Sequence, residues 1–347
     1  MGATAYSLSL IAGLHVALLV WAFRNLPKER WMMMAAIPVR PDGAGGWTCV
    51  NMTYYGFFSA LGMVCAVSAV VFMVGAAGQA MGPVMVSLVI LFALCIPASR
   101  VINRLVEGHS HGFTIGGASF VGMVASPWVL VGILKLWYPG EPVWDRAALI
   151  LGAMATGYAL GEGIGRLACL SFGCCYGKRV EDCGPVTRRF LGKWAFVYEG
   201  PLKKAETEHG WGGQRLVPVQ GVTAILCGAA GWAGLTLFLK GHPLWAYVIP
   251  LVVTQVWRFG SEFLRADYRG GGAISAYQWM ALTAALYGIG LTLFWPDFPV
   301  PTMNLGAGMQ FLLAPLSLLL IAVFGSIVFI RMGVSTVTDS VVHFRRR

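Results

Sequence analysis

Nine stretches of almost unbroken apolar sequence, at residues 5–23, 54–79, 83–98, 113–138, 147–172, 217–239, 244–264, 275–296 and 309–331, leave this chain few ways to fold. About 20 apolar residues span a hydrocarbon core as a helix, whose backbone groups then find their partners within the segment. Barrel strands would alternate polar and apolar over about ten residues, and these runs are continuous. The composition agrees: of 347 residues 57% are hydrophobic and 12% charged, with a mean hydropathy of +0.69, outside the range of soluble domains. The fold class expected is all-α, a polytopic integral membrane helical bundle. The third run is short, so eight or nine transmembrane helices are expected. Residues 1–23 lack a basic leader and a small-residue cleavage site, so the first helix is expected to be retained. No internal repeat supports an inverted-repeat transporter.

Lys and Arg set the expected orientation. Segments 24–46, 99–112, 173–216, 265–274 and 332–347 carry 19 of the 25 basic residues, and the alternate connections carry only Arg146 and Lys240. The positive-inside rule then puts the N-terminus outside and the basic connections in the cytoplasm, which accounts for the net charge of +10 as a surface facing anionic headgroups. Nucleic acid is not an expected partner, because no basic soluble domain is present. Residues 173–216 are long enough for a small loop domain, mixing eight basic residues with five acids around a strand-like run at 194–200. It reads either as a solvated cap over the helix ends or as a lid that gathers an anionic substrate.

Against this apolar background, two groups of ionisable residues stand inside the spans. Glu162 and Arg166 are four residues apart, and Arg258, Glu262 and Arg265 follow at i, i+4 and i+7, the spacing of one helix face. A charge at the bilayer centre costs roughly 2.5 kcal/mol or more, and such residues mark functional sites. Three arginines against two glutamates leave positive charge, and arginine grips phosphate with two parallel hydrogen bonds. An anionic phospholipid headgroup is the expected ligand, with an ion pair tying two helices together as the structural alternative. Gly161, Gly163 and Gly165 thin the helix around Glu162 and Arg166, so that neighbouring backbone can approach, and Gly173 and Gly177 allow a sharp exit.

Four of the eight cysteines, Cys169, Cys174, Cys175 and Cys183, fall within fifteen residues. They lack the paired C-x-x-C spacing and have no histidine close by in sequence, so neither a metal nor a cofactor is expected. They read as small packing residues or as a reactive thiol activated by nearby Arg166 and Lys178.

The run GRLACLSFGCCYG, with RFGSEFLRADYR downstream, resembles the prolipoprotein diacylglyceryl transferase family. The family's signature arginine and closing glycine correspond to Arg166 and Gly177, and its R-x-x-x-E-x-x-R helix to Arg258, Glu262 and Arg265. GGASF at 116–120, LVPVQ at 216–220 and ISAYQ at 274–278 are similar to its G-G-x-S-F, H-P-x-Q and L-S-x-x-Q segments, in the same order from about 110 to 297. Val121 and Val217 stand where the family has histidines, Cys169 where it has asparagine and Cys174 where it has glutamate. The resemblance implies a seven-helix core whose signature faces the exterior, opposite to the charge reading, and transfer of a diacylglyceryl group from phosphatidylglycerol to a lipoprotein cysteine.

The expected organisation is N-terminal helices over 1–110, a transferase-like core over 111–297 and an extra helix with a basic tail over 298–347. The expected function is a phospholipid-dependent transferase of lipoprotein-biosynthesis type in the bacterial cytoplasmic (inner) membrane. Its partners are an anionic, phosphatidylglycerol-like phospholipid and an acceptor that is a protein thiol or a small molecule. Arg166, Arg258, Glu262, His111 and Cys174 are the candidate catalytic residues; Arg265, Glu162, Gly177, Gln220, Ser119 and Tyr176 the candidate substrate-binding ones. His109, beside His111, and His15 in the first span are further candidates for a base. The alternatives are a non-catalytic lipid-binding, scramblase or scaffold protein, and a cysteine-dependent membrane enzyme.

Overall fold

The computed structural model describes residues 2–41, 43, 46–107, 114–266, 273–335 and 341–342. Its helices are α1 (Gly2–Asn25), α2 (Tyr54–Ala76), α3 (Met81–Glu107), α4 (Ile115–Trp137), α5 (Trp144–Phe172), α6 (Pro185–Phe190), α7 (Lys204–His209), α8 (Val219–Leu239), α9 (Pro243–Ser261), α10 (Ala276–Leu293), α11 (Leu305–Leu313) and α12 (Pro315–Gly333). The strands are β1 (Met33–Pro41), β2 (Trp47–Thr53), β3 (Phe196–Val197), β4 (Arg215–Leu216), β5 (Val334–Ser335) and β6 (Val341–Val342).

Each apolar stretch carries helix. Among the described residues seven helices, α1 to α5, α8 and α12, are long and apolar enough to cross a membrane, and α9 and α10 pack beside them. The protein is a multi-pass helical membrane protein. The third helix is not short: α3 runs for 27 residues through Pro97. Membrane helices tolerate such a proline because neighbouring groups satisfy the backbone it frees. Beyond it, Ser99 Oγ donates to the Thr114 carbonyl at 2.8 Å and accepts from the Thr114 amide at 2.9 Å, joining α3 to the entry of α4.

The long helix α5 is the axis of the bundle, with 72% of its most apolar window buried against α2, α8 and α9. Glycine makes this proximity possible. A Cβ on Gly62 of α2 would lie 2.7 Å from the Gly161 carbonyl oxygen, and one on Gly163 would lie 2.9 Å from the Gly228 nitrogen of α8. Gly165, by contrast, faces open space. With α5 thinned on the sides facing α2 and α8, its long polar side chains are left for the remaining face. Large apolar side chains such as Trp128, Leu136, Leu293 and Phe294 are exposed on the outside, as a lipid-facing surface requires.

Described parts of the basic connections 24–46, 173–216 and 332–347 meet at one end. There the Glu199 amide bonds to the Pro27 carbonyl, the Tyr54 amide to the Met32 carbonyl, and Thr53 Oγ1 to the Gly333 carbonyl. Two small sheets cover this end. The pair β3–β4 belongs to the loop segment 173–216, where the strand-like run was expected. The hairpin β1–β2, joined by β5 and β6, was not expected from sequence. Pro38 and Pro41 break the strand signal of β1, and register shifts between Met33 and Ala35 and between Pro38 and Arg40 absorb the irregularity.

Candidate functional site

On α5, Tyr158, Glu162 and Arg166 follow at four-residue intervals and so share one face. The Glu162 carboxylate, its side chain 6% exposed, pairs with Arg166 one turn on and accepts from Tyr158 Oη at 2.6 Å. Arg258 of α9 reaches the same carboxylate at 3.3 Å, donates to Tyr158 Oη at 3.0 Å and donates to Ser119 Oγ of α4 at 2.9 Å. Two helices, α5 and α9, therefore meet at one buried carboxylate, and α4 holds Arg258 in place through Ser119. Two guanidiniums share it, leaving a surplus positive charge in this group. Gly116 explains part of the glycine motif: a Cβ there would crowd the Tyr277 ring at 3.0 Å and come into contact with the Arg258 guanidinium at 3.5 Å.

The expected single face of Arg258, Glu262 and Arg265 is not formed. The α-helix ends at Ser261, Glu262 opens a 3-10 turn, and Arg265 is extended at φ −80°, ψ 151°. The salt bridge of Arg258 runs to Glu162 on another helix. Arg265 instead pairs with Gly177 in a short antiparallel bridge, held by Lys178 N to Leu264 O at 2.8 Å and Ala266 N to Tyr176 O at 3.2 Å. A side chain on Gly177 would strike the Val217 carbonyl, 2.5 Å from the Cβ it lacks. The motif glycine thus lets three segments meet. The serine and glutamine of ISAYQ form a capping box on α10, and Gln278 Nε2 also donates to the Phe259 carbonyl of α9 at 3.1 Å.

About two turns beyond Arg166, α5 ends at Gly173, left-handed at φ 74°. The amides of Gly173 and Cys174 both return to the Cys169 carbonyl, at 2.9 and 3.1 Å. This closure folds the residue after the glycine back over the last helical turn, so Cys174 meets Cys169. Cys175 follows at φ 55°, a left-handed conformation that a non-glycine residue adopts at a cost. The three Sγ atoms lie within 4.8 Å of one another. The turn supplies in three dimensions the proximity absent from the sequence. Hydrogen bonds from the thiols of Cys169 and Cys174, with Arg265 and Arg166 in electrostatic reach, hold the Cys175 thiol well below its ordinary pKa. The Cys174 thiol is pushed well up, as the hydrogen-bonding partner of the other two.

Gln220 supports this turn, donating from Nε2 to the Cys174 carbonyl and to Tyr198 Oη, each at 2.7 Å. Its Oε1 is buried with no hydrogen-bond partner. Tyr176 is fully buried, with its hydroxyl 2.9 Å from Glu208 Oε2 and 2.5 Å from His209 Nδ1. These bonds anchor the loop segment to the end of α5. His15 accepts from Trp232 Nε1 at 3.0 Å and lies against Gly228, a packing role between α1 and α8. His109 and His111 lie outside the described residues.

Sequence reading missed three residues. Tyr158 carried a usable signal, one turn before Glu162. Tyr198 had none. Lys203 is 1% exposed and donates to the carbonyls of Leu26 at 3.0 Å and Ser171 at 2.5 Å, closing the ends of α1 and α5 together. Burial lowers its pKa to about 8.

Beyond Tyr158 and Ser119 lies a cavity of about 300 Å³ between α2, α3, α4, α5 and α9. Its walls are almost wholly apolar, with Met63, Val67, Met85, Leu88, Met123 and Met154 prominent. The two hydroxyls that hold Arg258 therefore stand where the charged group meets an apolar chamber.

A curated relative, phosphatidylglycerol–prolipoprotein diacylglyceryl transferase 2 of Clostridium perfringens (strain 13 / Type A), is 29% identical over 192 residues, or 54% of this chain and 64% of the relative. The alignment thus spans somewhat less than two thirds of that protein. The sequence model of prolipoprotein diacylglyceryl transferase matches residues 47–294, from β2 to the end of α10 and so across every residue of the arginine cleft and the cysteine turn. A match over well over half of the chain makes it a member of the prolipoprotein diacylglyceryl transferase family.

Proposed function

We propose that this protein is a membrane transferase that moves a diacylglyceryl group from an anionic glycerophospholipid, phosphatidylglycerol first, to a nucleophilic acceptor. The observation that carries this reading is the junction of the apolar chamber with Arg258, Tyr158 and Ser119. A diacyl lipid needs room for its chains and cations for its phosphate, side by side. Chains in the chamber would bring the phosphate to Arg258 and Arg166, with Glu162 and Tyr158 fixing the directions in which the guanidiniums point. As the acceptor attacks the glycerol carbon, the carbon–oxygen bond to phosphate breaks and its electron pair leaves with glycerol phosphate. Cations already aimed at that charge lower the barrier without reorganising during the reaction.

On this reading the entrance of the cleft lies at the basic end of the bundle. By the positive-inside rule that end faces the cytoplasm of a bacterial inner membrane, and the acceptor is then a cytosolic nucleophile rather than an exported lipoprotein. Incubating the detergent-purified protein with headgroup-labelled phosphatidylglycerol and cell extract tests the reading. Release of labelled glycerol phosphate, absent with phosphatidylcholine, is expected. Bound but unreacted lipid would replace it with a lipid-binding role.

A further inference from the structure

We propose that Cys169, Cys174 and Cys175 form a zinc site whose open coordination position receives the acceptor as a thiolate. The three sulfurs come from the last turn of α5 and the two residues after its glycine cap, within 4.8 Å of one another. A tetrahedral zinc ion with bonds of about 2.3 Å spaces its sulfurs by roughly 3.8 Å, so closure requires a shift of about an ångström at most. Three thiolates around a divalent cation carry one net negative charge, and Arg166 and Arg265 stand in electrostatic reach to balance it. A set of three protein ligands leaves one place for water or substrate, the pattern of a catalytic rather than a structural zinc. Cys169 and Cys174 are buried and Cys175 is half-buried, so the cluster has one accessible side. Next to it, Gln220 Oε1 is buried without a partner while its amide nitrogen holds the Cys174 carbonyl, leaving an acceptor for a donor on a bound group.

The alternative use of these thiols fails on chemistry. If Cys175 itself attacked the glycerol carbon, the product would be an enzyme thioether, whose carbon–sulfur bond is too poor a leaving group for onward transfer. A metal that activates an incoming thiol avoids this dead end. Zinc binding releases the protons the cluster still holds to solvent, and the acceptor thiol loses its own proton on joining the metal. A lone pair of the acceptor sulfur then forms the carbon–sulfur bond as the carbon–oxygen bond to phosphate breaks, and the electron pair leaves with glycerol phosphate. Zinc remains divalent throughout. The acceptor step rests on the transferase reading above, and the metal site does not.

The full-length protein, reduced and stripped of metal, would be titrated with Co(II) in detergent, followed by its thiolate charge-transfer absorption and then by zinc competition. One ion per chain is expected. Cys169→Ser, Cys174→Ser and Cys175→Ser should each weaken binding by at least about tenfold, whereas Cys49→Ser in β2 leaves it unchanged. Circular dichroism of the stripped wild type and of each variant separates lost ligation from lost folding. Absence of a thiolate band, or binding unchanged in all three variants, overturns the metal site. Adding a short cysteine-containing peptide should shift the Co(II) ligand-field bands, and unchanged bands overturn the acceptor role. Both readouts are made without phospholipid. A protein that passes them but releases no glycerol phosphate refutes the transferase reading and leaves the metal site standing.

Discussion

Glu162→Gln removes the charge that two buried arginines share and keeps the shape of the side chain. In the wild type the carboxylate pairs with Arg166 and with Arg258, at 3.3 Å to the latter, with side-chain exposures of 6%, 15% and 13% for the three residues. A unit charge pair at about 4 Å is worth roughly 4 kcal/mol at an effective dielectric of 20, so the two pairs together are worth on the order of 8 kcal/mol before desolvation. A glutamine oxygen still accepts one hydrogen bond, which offsets part of the loss. Breaking a buried pair by removing one partner costs about 3–5 kcal/mol, and that loss is expected here. The surplus of positive charge gives the sharper test. Glu162→Gln leaves two facing cations, whereas Glu162→Gln combined with Arg258→Gln leaves one, as many as the wild-type group carries in excess. Denaturant unfolding in detergent micelles, followed by tryptophan fluorescence, should therefore place the double variant nearer the wild type than Glu162→Gln alone. A single variant within about 0.5 kcal/mol of wild type, or strictly additive losses in the cycle, would refute the shared-carboxylate arrangement.

Lys203, with its pKa lowered from 10.5 to about 8 by burial, leaves the unfolded chain holding the extra proton between those values. Stability should thus rise from pH 8 to 10.5 by about 3 kcal/mol from this group, and Lys203→Met should flatten that part of the unfolding profile relative to wild type. Gly62→Ala sets a methyl group against the Gly161 carbonyl oxygen and should destabilise by about 1–3 kcal/mol, whereas Gly165→Ala, facing open space, should be neutral or gain up to about 1 kcal/mol from helix propensity. Thermal unfolding of the two variants side by side checks the contrast. Reporter fusions after Arg347 should be active in the cytoplasm and silent outside it, and the reverse pattern would turn the cleft toward the exterior.

The helices were legible because a bilayer imposes one demand, a long apolar run, that no tertiary contact overrides. Glu162, Arg166, Arg258 and Ser119 were legible as site candidates because charge inside such a run, or a motif beside it, has few innocent explanations. What sequence did not carry was where a helix stops. The identical i, i+4 spacing gives a true pair at Glu162 and Arg166 but not the expected face from Arg258 to Arg265, because α9 unwinds after Ser261. Likewise, Cys169 and Cys174 look badly spaced for joint chemistry until Gly173 folds the chain back, and a glycine between two cysteines at a helix end was the signal available. Tyr176, whose place in a motif suggested the cleft, has its hydroxyl engaged with Glu208 and His209, partners that the sequence spacing does not signal. The β1–β2 hairpin was hidden by its own prolines.

The central claim is that the chamber holds the chains of a phospholipid whose phosphate lies on Arg258 and Arg166. Photo-crosslinking with phosphatidylglycerol carrying a diazirine in one acyl chain tests it directly. Adducts are expected on the chamber residues Met63, Met85, Met123 and Met154, and Arg166→Lys with Arg258→Lys should remove them in a protein that stays folded. Adducts confined to outward side chains such as Trp128 and Leu293, unchanged by the arginine substitutions, would contradict it.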